Sequence, residues 1–158
     1  MLAKDIMTQN VITITAKESI SKAVELMLQY DISGLPVVDS ENCLCGVLSE
    51  SDLILGGIEP QVPHRLLDAL VKRLAHTTEA DADYEALNEE IEEAARSTVS
   101  EYMTTTVRSV TAQSSIQAVA SLINTFDINR VPVVDEQNHL VGIISRRDLL
   151  REMYRQSK

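Results

Sequence analysis

The chain has 158 residues, 44% of them hydrophobic and 24% charged, with a formal net charge of −10. That apolar content excludes a disordered chain, and the acidic balance repels a nucleic-acid backbone. No apolar run approaches the roughly 20 residues of a membrane span, and the opening MLAKDIM lacks the apolar core of a signal peptide. A cytoplasmic protein without nucleic-acid or membrane partners is therefore expected.

In chain order, VITIT (Val11 to Thr15) is a β-branched run and reads as a strand. Thr15 and Glu18 have the spacing of a capping box, and Ile20, Ala23, Val24 and Met27 then mark the buried stripe of a helix. LPVVD (Leu35 to Asp39) is a fully apolar strand with its proline near the start, and CLCGVLS (Cys43 to Ser49) returns as the partner strand of a hairpin. A second helix is expected after Ser49. Cys43 and Cys45 alternate along the returning strand, which puts both thiols on one face, as packing or as half of a metal clip.

Gly56 to Pro60 (GGIEP) breaks the pattern. Two amphipathic stripes follow, Leu66, Leu67, Leu70, Val71 and Leu74, then Tyr84, Leu87, Ile91 and Ala95. Between Gly56 and Ser100 stand ten acidic residues against four basic ones. The expectation is an acidic helical insertion, packed on the rest of the chain or on a second copy.

VRSVT (Val107 to Thr111), the stripe Ile116, Val119, Ala120 and Ile123, then VPVVD and LVGIIS repeat the opening signals in order. An offset of 96 residues carries Met7 to Ile54 onto Met103 to Leu150 without a gap, and 20 of the 48 positions are identical. The chain is a duplication of a β-α-β-β-α unit. About fifty residues cannot bury all their apolar faces alone, so the copies should pack as a pseudo-twofold pair in an α/β (α+β) fold, with related clefts where they meet. The division expected is 1–55, repeat one; 56–98, the insertion; and 99–158, repeat two. The cysteine positions become His139 and Val141 in the second copy, which favours packing over a metal site.

Recurrent polar residues are the candidates for chemistry. Asp39 and Asp135 close a strand before a turn, and Asp31 and Asp127 follow a helix, so local hydrogen bonding accounts for both pairs. Ser49 with Asp52, and Ser145 with Asp148, open a helix as Ser-x-x-Asp. That is a capping box, and it is also a place where a carboxylate can accept two hydrogen bonds from a ribose diol.

The duplicated pattern, an apolar residue then Pro-Val-Val-Asp, followed by Gly, two apolar residues and Ser-x-x-Asp, resembles the cystathionine β-synthase (CBS) domain family. A tandem pair is called a Bateman module. The resemblance covers nearly all of Met1 to Leu55 and Val99 to Tyr154; the insertion lies outside the usual pattern. It implies a regulatory module with no catalysis and no required cofactor, taking AMP, ADP or ATP in clefts between the repeats. S-adenosylmethionine or an NAD-like ligand is the alternative.

By the same resemblance the ribose falls to Asp52 and Asp148 beside Ser49 and Ser145. The adenine falls to Ile32, Ser33, Ile128 and Asn129 with Val11 and Val107. The implied groupings are Asp52 with Val107, Ile128 and Arg130, and Asp148 with Val11, Ile32 and Ser33. Phosphate falls to Arg130, Arg146 and Arg147, which in the first copy are Gly34, Glu50 and Ser51, so the two clefts should differ. Arg146 and Arg147 as plain solvated charges are the simpler alternative.

Two rival readings come from other classes. Ser145, His139 and Asp148 contain the ingredients of a catalytic triad, but serine and aspartate recur while the histidine becomes Cys43. A ligand-free interaction module that only dimerises is the second rival. The family resemblance also implies a homodimer through the second helices, where Leu53, Ile54, Leu149 and Leu150 stand, and an effector protein that this chain does not specify.

Overall fold

The structure, a computed structural model, describes residues 1–55 and 96–156. The two stripes of the expected insertion, from Leu66 to Leu74 and from Tyr84 to Ala95, lie outside the described residues.

Ser19 opens the first helix, because its backbone is extended and its Oγ accepts the Lys22 amide at 3.2 Å, so α1 runs Ile20–Tyr30. Only the carboxylate half of the box expected between Thr15 and Glu18 forms, the Glu18 amide going to the Thr15 carbonyl, and it does not cap that helix. Glu18 accepts the Thr15 amide at 2.8 Å and the Thr15 hydroxyl at 3.2 Å, which closes the turn between strand and helix. Ser115 caps the matching helix in the same way, accepting the Ala118 amide at 3.1 Å.

Each copy runs strand, helix, strand, strand, helix. The first has β1 (Ile14–Thr15), α1, β2 (Gly34–Val38), β3 (Leu44–Ser49) and α2 (Glu50–Leu55). After the short α3 (Val99–Tyr102), the second has β4 (Val110–Thr111), α4 (Ile116–Thr125), β5 (Arg130–Val134), β6 (Leu140–Ser145) and α5 (Arg146–Gln156). The sheets are three-stranded, in the orders β1-β2-β3 and β4-β5-β6. The leading strands are shorter than the runs VITIT and VRSVT, since only their last two residues join a sheet. β4 pairs parallel to β5, Val110 with Val133 and Thr111 with Val134, and β5 pairs antiparallel to β6.

The chain divides into two compact units that cut across the repeats. One comprises Met1–Ile12, Val38–Cys45 and Thr106–Lys158, the other Thr13–Val37 and Gly46–Thr105. Each therefore contains a leading segment from the opposite copy.

In the first unit the Ala3 amide donates to the Ser114 carbonyl at 2.8 Å, and Thr8 exchanges amide bonds with Ile143 at 2.9 and 3.0 Å. Ala3 enters a core with Val110, Val119, Ile123, Val131, Val133, Ile144 and Leu149, and Ile6 and Met7 pack against it. Burying each aliphatic side chain of this size stabilises by about 1.5–3 kcal/mol. The same unit holds both hairpin turns. Asp39 Oδ1 accepts the amides of Glu41 and Cys43 at 2.9 Å, and Asp135 Oδ1 accepts those of Gln137 and His139 at 3.0 and 2.8 Å. Local hydrogen bonding thus accounts for this recurrent pair, as expected.

The second unit repeats the arrangement with the copies reversed. The Val99 amide donates to the Glu18 carbonyl at 2.8 Å, and Thr104 exchanges amide bonds with Val47 at 2.9 and 3.0 Å. Its buried side chains include the whole α1 stripe, Ile20, Ala23, Val24 and Met27, with Ile14, Leu35, Val37, Leu48, Leu53 and Val99.

Candidate functional site

The Ser-x-x-Asp pairs sit where an antiparallel strand ends and a helix begins. In the second unit Asp52 Oδ2 accepts both the amide and the hydroxyl of Ser49 at 2.7 Å. In the first unit Asp148 Oδ2 accepts the Ser145 amide at 2.8 Å and its hydroxyl at 2.6 Å. The Asp148 amide returns a bond to Ser145 Oγ at 3.3 Å, which completes the capping box there. One oxygen of each carboxylate is thereby committed to the helix start.

The other oxygens have different partners. Asp52 Oδ1 accepts the Thr104 hydroxyl at 3.1 Å, whereas Asp148 Oδ1 accepts Arg151 Nη1 at 3.2 Å. Both are longer than the usual values for a hydroxyl and a guanidinium on a carboxylate. Both aspartates are half-buried.

The chain entering β2 and β5 lies against these helix starts. Asp31 and Asp127 adopt left-handed backbone at φ 51° and 48°, ending α1 and α4 and turning the chain toward the strand. The next amides, of Ile32 and Ile128, donate back to Met27 and Ile123 at 2.9 and 3.1 Å. Ser33 and Asn129 then present carbonyls to the Glu50 and Arg146 amides at 3.1 and 2.8 Å. Four expected residues, Ser33, Ser49, Asn129 and Ser145, thus adjoin the helix starts of their own copies.

Among the arginines, Arg146 folds back, with Nη2 on Asp127 Oδ1 at 3.2 Å and on the Ile128 carbonyl at 3.4 Å. It is more than a solvated charge, although so exposed an ion pair contributes only about 0–1 kcal/mol. Arg147 is exposed, and Arg130 is half-buried in β5. Arg108 stacks over Phe126, 4.4 Å from its ring centre. Val11 and Val107 are half-buried three residues ahead of β1 and β4. Val11, Val107, Ile128, Asn129, Arg130, Ser145, Arg146, Arg147 and Asp148 belong to the first unit, Ile32, Ser33, Ser49 and Asp52 to the second.

Among the described residues the triad ingredients are not joined through the histidine. His139 Nδ1 lies 3.0 Å from Asp135 Oδ2, and the Ser145 hydroxyl is spent on Asp148. Cys43 and Cys45 are free thiols. Desolvation raises both pKa values, and the carboxylates of Asp39, Glu41 and Asp135 add to the effect at Cys43. Among the described residues no group of three metal-ligating side chains occurs.

Sequence reasoning missed Thr104 as a partner of Asp52. A signal was present, since Met7-Thr8 and Met103-Thr104 are identical at the 96-residue offset. Asn42 and Asn138 were likewise missed although they too coincide at that offset.

YhcV of Bacillus subtilis (strain 168), a CBS domain-containing protein, is 30% identical over 146 residues, 92% of this chain and 81% of YhcV. The crystal structure of CBSX2 in complex with AMP superposes with a TM-score of 0.71 at 25% identity, covering 99% of this chain and 98% of that one; CBSX2 is from Arabidopsis thaliana. The CBS domain pair of MJ0100 in complex with 5′-methylthioadenosine and S-adenosyl-L-methionine gives 0.68 at 25% identity, covering 100% and 98%. An inosine-5′-monophosphate dehydrogenase of Methanocaldococcus jannaschii is 28% identical over 149 residues, 94% of this chain, but the match spans only 23% of the enzyme. The CBS domain model matches residues 3–56 and 99–155, so the duplicated Ser-x-x-Asp units are two CBS domains and the chain belongs to that family.

Proposed function

We propose that this chain is a regulatory CBS pair, without catalytic activity of its own, that binds an adenosyl ligand, AMP, ADP or ATP first among them. It passes occupancy to an effector protein or across a homodimer in the cytoplasm. The observation that carries this reading is the divided carboxylate. Asp52 and Asp148 each give one oxygen to their own helix and, among the described residues, keep the other on a single long hydrogen bond, which a ribose hydroxyl can replace.

The complexes of CBSX2 with AMP and of MJ0100 with 5′-methylthioadenosine and S-adenosylmethionine support an adenosyl ligand here. In this proposal Ile32, Ser33, Ile128, Asn129, Val11 and Val107 receive the base, and Arg130, Arg146 and Arg147 the phosphates. A cationic sulfonium ligand is disfavoured near those three arginines.

Titration calorimetry with adenosine, AMP, ATP and S-adenosylmethionine tests the reading. The Asp52→Ala, Asp148→Ala double variant should lose about 1.5–3 kcal/mol of binding per site. Arg130→Ala and Arg147→Ala should weaken AMP and ATP while sparing adenosine. Unchanged affinity for every ligand in the double variant removes the assignment, and equal binding of adenosine and AMP by the parent removes the phosphate role.

A further inference from the structure

We propose that Thr104 limits the preference for ribose over deoxyribose at Asp52, by holding one of the acceptor positions that a vicinal diol requires. The inference rests on the adenosyl-binding reading above and names a specificity residue within it.

A carboxylate offers about four lone-pair positions, two on each oxygen. At Asp52 the Ser49 amide and hydroxyl fill both positions on Oδ2, at 2.7 Å each. Thr104 takes one of the two on Oδ1. Among the described residues this leaves one position, sufficient for a single ribose hydroxyl and short of the two that a 2′,3′-diol presents. A diol must therefore displace Thr104, whereas 2′-deoxyribose need not.

The displacement is within reach. Thr104 is exposed, and its hydroxyl bond at 3.1 Å is longer than the usual 2.7–2.8 Å for a hydroxyl donor. Its backbone is held independently of that hydroxyl, by the paired amide bonds to Val47 at 2.9 and 3.0 Å, so the side chain can turn away while the segment stays in place. Removing the hydroxyl should open the acceptor without moving the chain.

The second copy lacks this device. Thr8, the counterpart of Thr104, makes no such bond among the described residues, and Asp148 Oδ1 is held instead by Arg151, whose counterpart is Leu55. The competitor is a neutral hydroxyl from the exchanged segment at Asp52 and a charged neighbour on the same helix at Asp148. Thr104 should consequently affect only one of the two sites.

The test is calorimetric titration of the full chain with adenosine and with 2′-deoxyadenosine, for the parent, Thr104→Val, Thr104→Ala and Thr104→Ser. Thr104→Val and Thr104→Ala should each bind adenosine about three- to tenfold more tightly at one site, with 2′-deoxyadenosine unchanged. Thr104→Ser restores the donor and should match the parent. Adding Asp52→Asn to Thr104→Val should abolish the gain.

An equal gain for both nucleosides, or none, or weaker adenosine binding in both Thr104→Val and Thr104→Ala with parental melting temperatures, overturns the inference. A parent that binds neither nucleoside nor AMP or ATP fails the functional reading itself, and this inference with it; where the parent binds only the nucleotides, the same comparison is read with AMP and 2′-deoxyadenosine 5′-monophosphate, and a parent that binds both members of a pair while the variants stay silent fails the inference alone.

Discussion

Asn42 and Asn138 clasp each other's hairpins. Asn42 Nδ2 donates to the Leu140 carbonyl at 3.0 Å, and Asn138 Nδ2 donates to the Leu44 carbonyl at 2.9 Å. The backbone bonds are reciprocal too, Leu44 amide to Asn138 carbonyl and Leu140 amide to Asn42 carbonyl, both at 3.0 Å. Each asparagine also holds left-handed backbone, at φ 65° and 66°, which it tolerates better than most residues.

Those two roles can be separated by substitution. Asn42→Gly keeps the backbone and loses the side-chain bond, for a cost of about 1 kcal/mol; Asn42→Ala adds the left-handed penalty, for about 2 kcal/mol or more. Urea denaturation of both, and of the Asn138 pair, should reproduce that order. Alanine and glycine variants of equal stability would show that the φ values carry no penalty.

Gly46 and Gly142 admit the exchanged segments. A Cβ on Gly142 would lie 2.6 Å from Met7 Sδ, with only Met7 side-chain atoms nearest, whereas one on Gly46 would meet Met103 Sδ at 2.7 Å and the Thr104 carbonyl at 3.1 Å. Each Gly→Ala should cost about 1–3 kcal/mol by overpacking. Adding Met7→Ala to Gly142→Ala should recover more stability than adding Met103→Ala to Gly46→Ala, because the Thr104 carbonyl is backbone. A double-mutant cycle in urea measures the difference.

Acid should weaken the hairpin tip around Asp135. Desolvation opposes ionisation of its carboxyl, but the amide and ring of His139 and the amide of Gln137 outweigh it, so its pKa lies below the ordinary carboxylate value. Glu101 is lowered as well, chiefly by the Thr98 amide and hydroxyl. A depressed folded-state pKa contributes stability that is present above the unfolded value and lost as pH falls through the folded one. Stability should therefore fall below about pH 4, and Asp135→Asn should flatten that fall when urea midpoints are compared between pH 7 and pH 3.

The second helices divide their apolar residues. Leu53 and Leu149 are buried, while Leu150, Met153 and Tyr154 of α5 are 61%, 68% and 63% exposed. A homodimer should form through that exposed face. Light scattering at tens of micromolar should give twice the chain mass, and Leu150→Glu with Met153→Glu should return the mass of a single chain. A parent with the mass of one chain removes the dimer.

Composition, period and duplication were enough to determine the order of strands and long helices in the two repeats, though not the short α3 or the two-residue length of β1 and β4, and the expected insertion lies outside the described residues. The 96-residue offset foretold two copies of strand, helix, strand, strand, helix, because β-branched runs, helical stripes and turn residues act over a few neighbours and recur in both. Ser-x-x-Asp was legible as a helix start for the same reason. The Thr15–Glu18 pair misled, since two adjacent polar signals competed and Ser19, nearer the apolar stripe, took the cap.

Only the tertiary structure decided which copy each leading segment packs on. Met7 and Met103, Thr8 and Thr104, Gly46 and Gly142 are the same residues twice over, so local sequence offers a segment its own sheet and the other copy's on nearly equal terms. The choice is made by non-local pairing, Thr8 with Ile143 and Thr104 with Val47. That choice brings the Thr104 hydroxyl to Asp52 across a sequence separation of 52 residues. No helical or strand period reaches so far, which is why the aspartate was legible in the sequence and its partner was not.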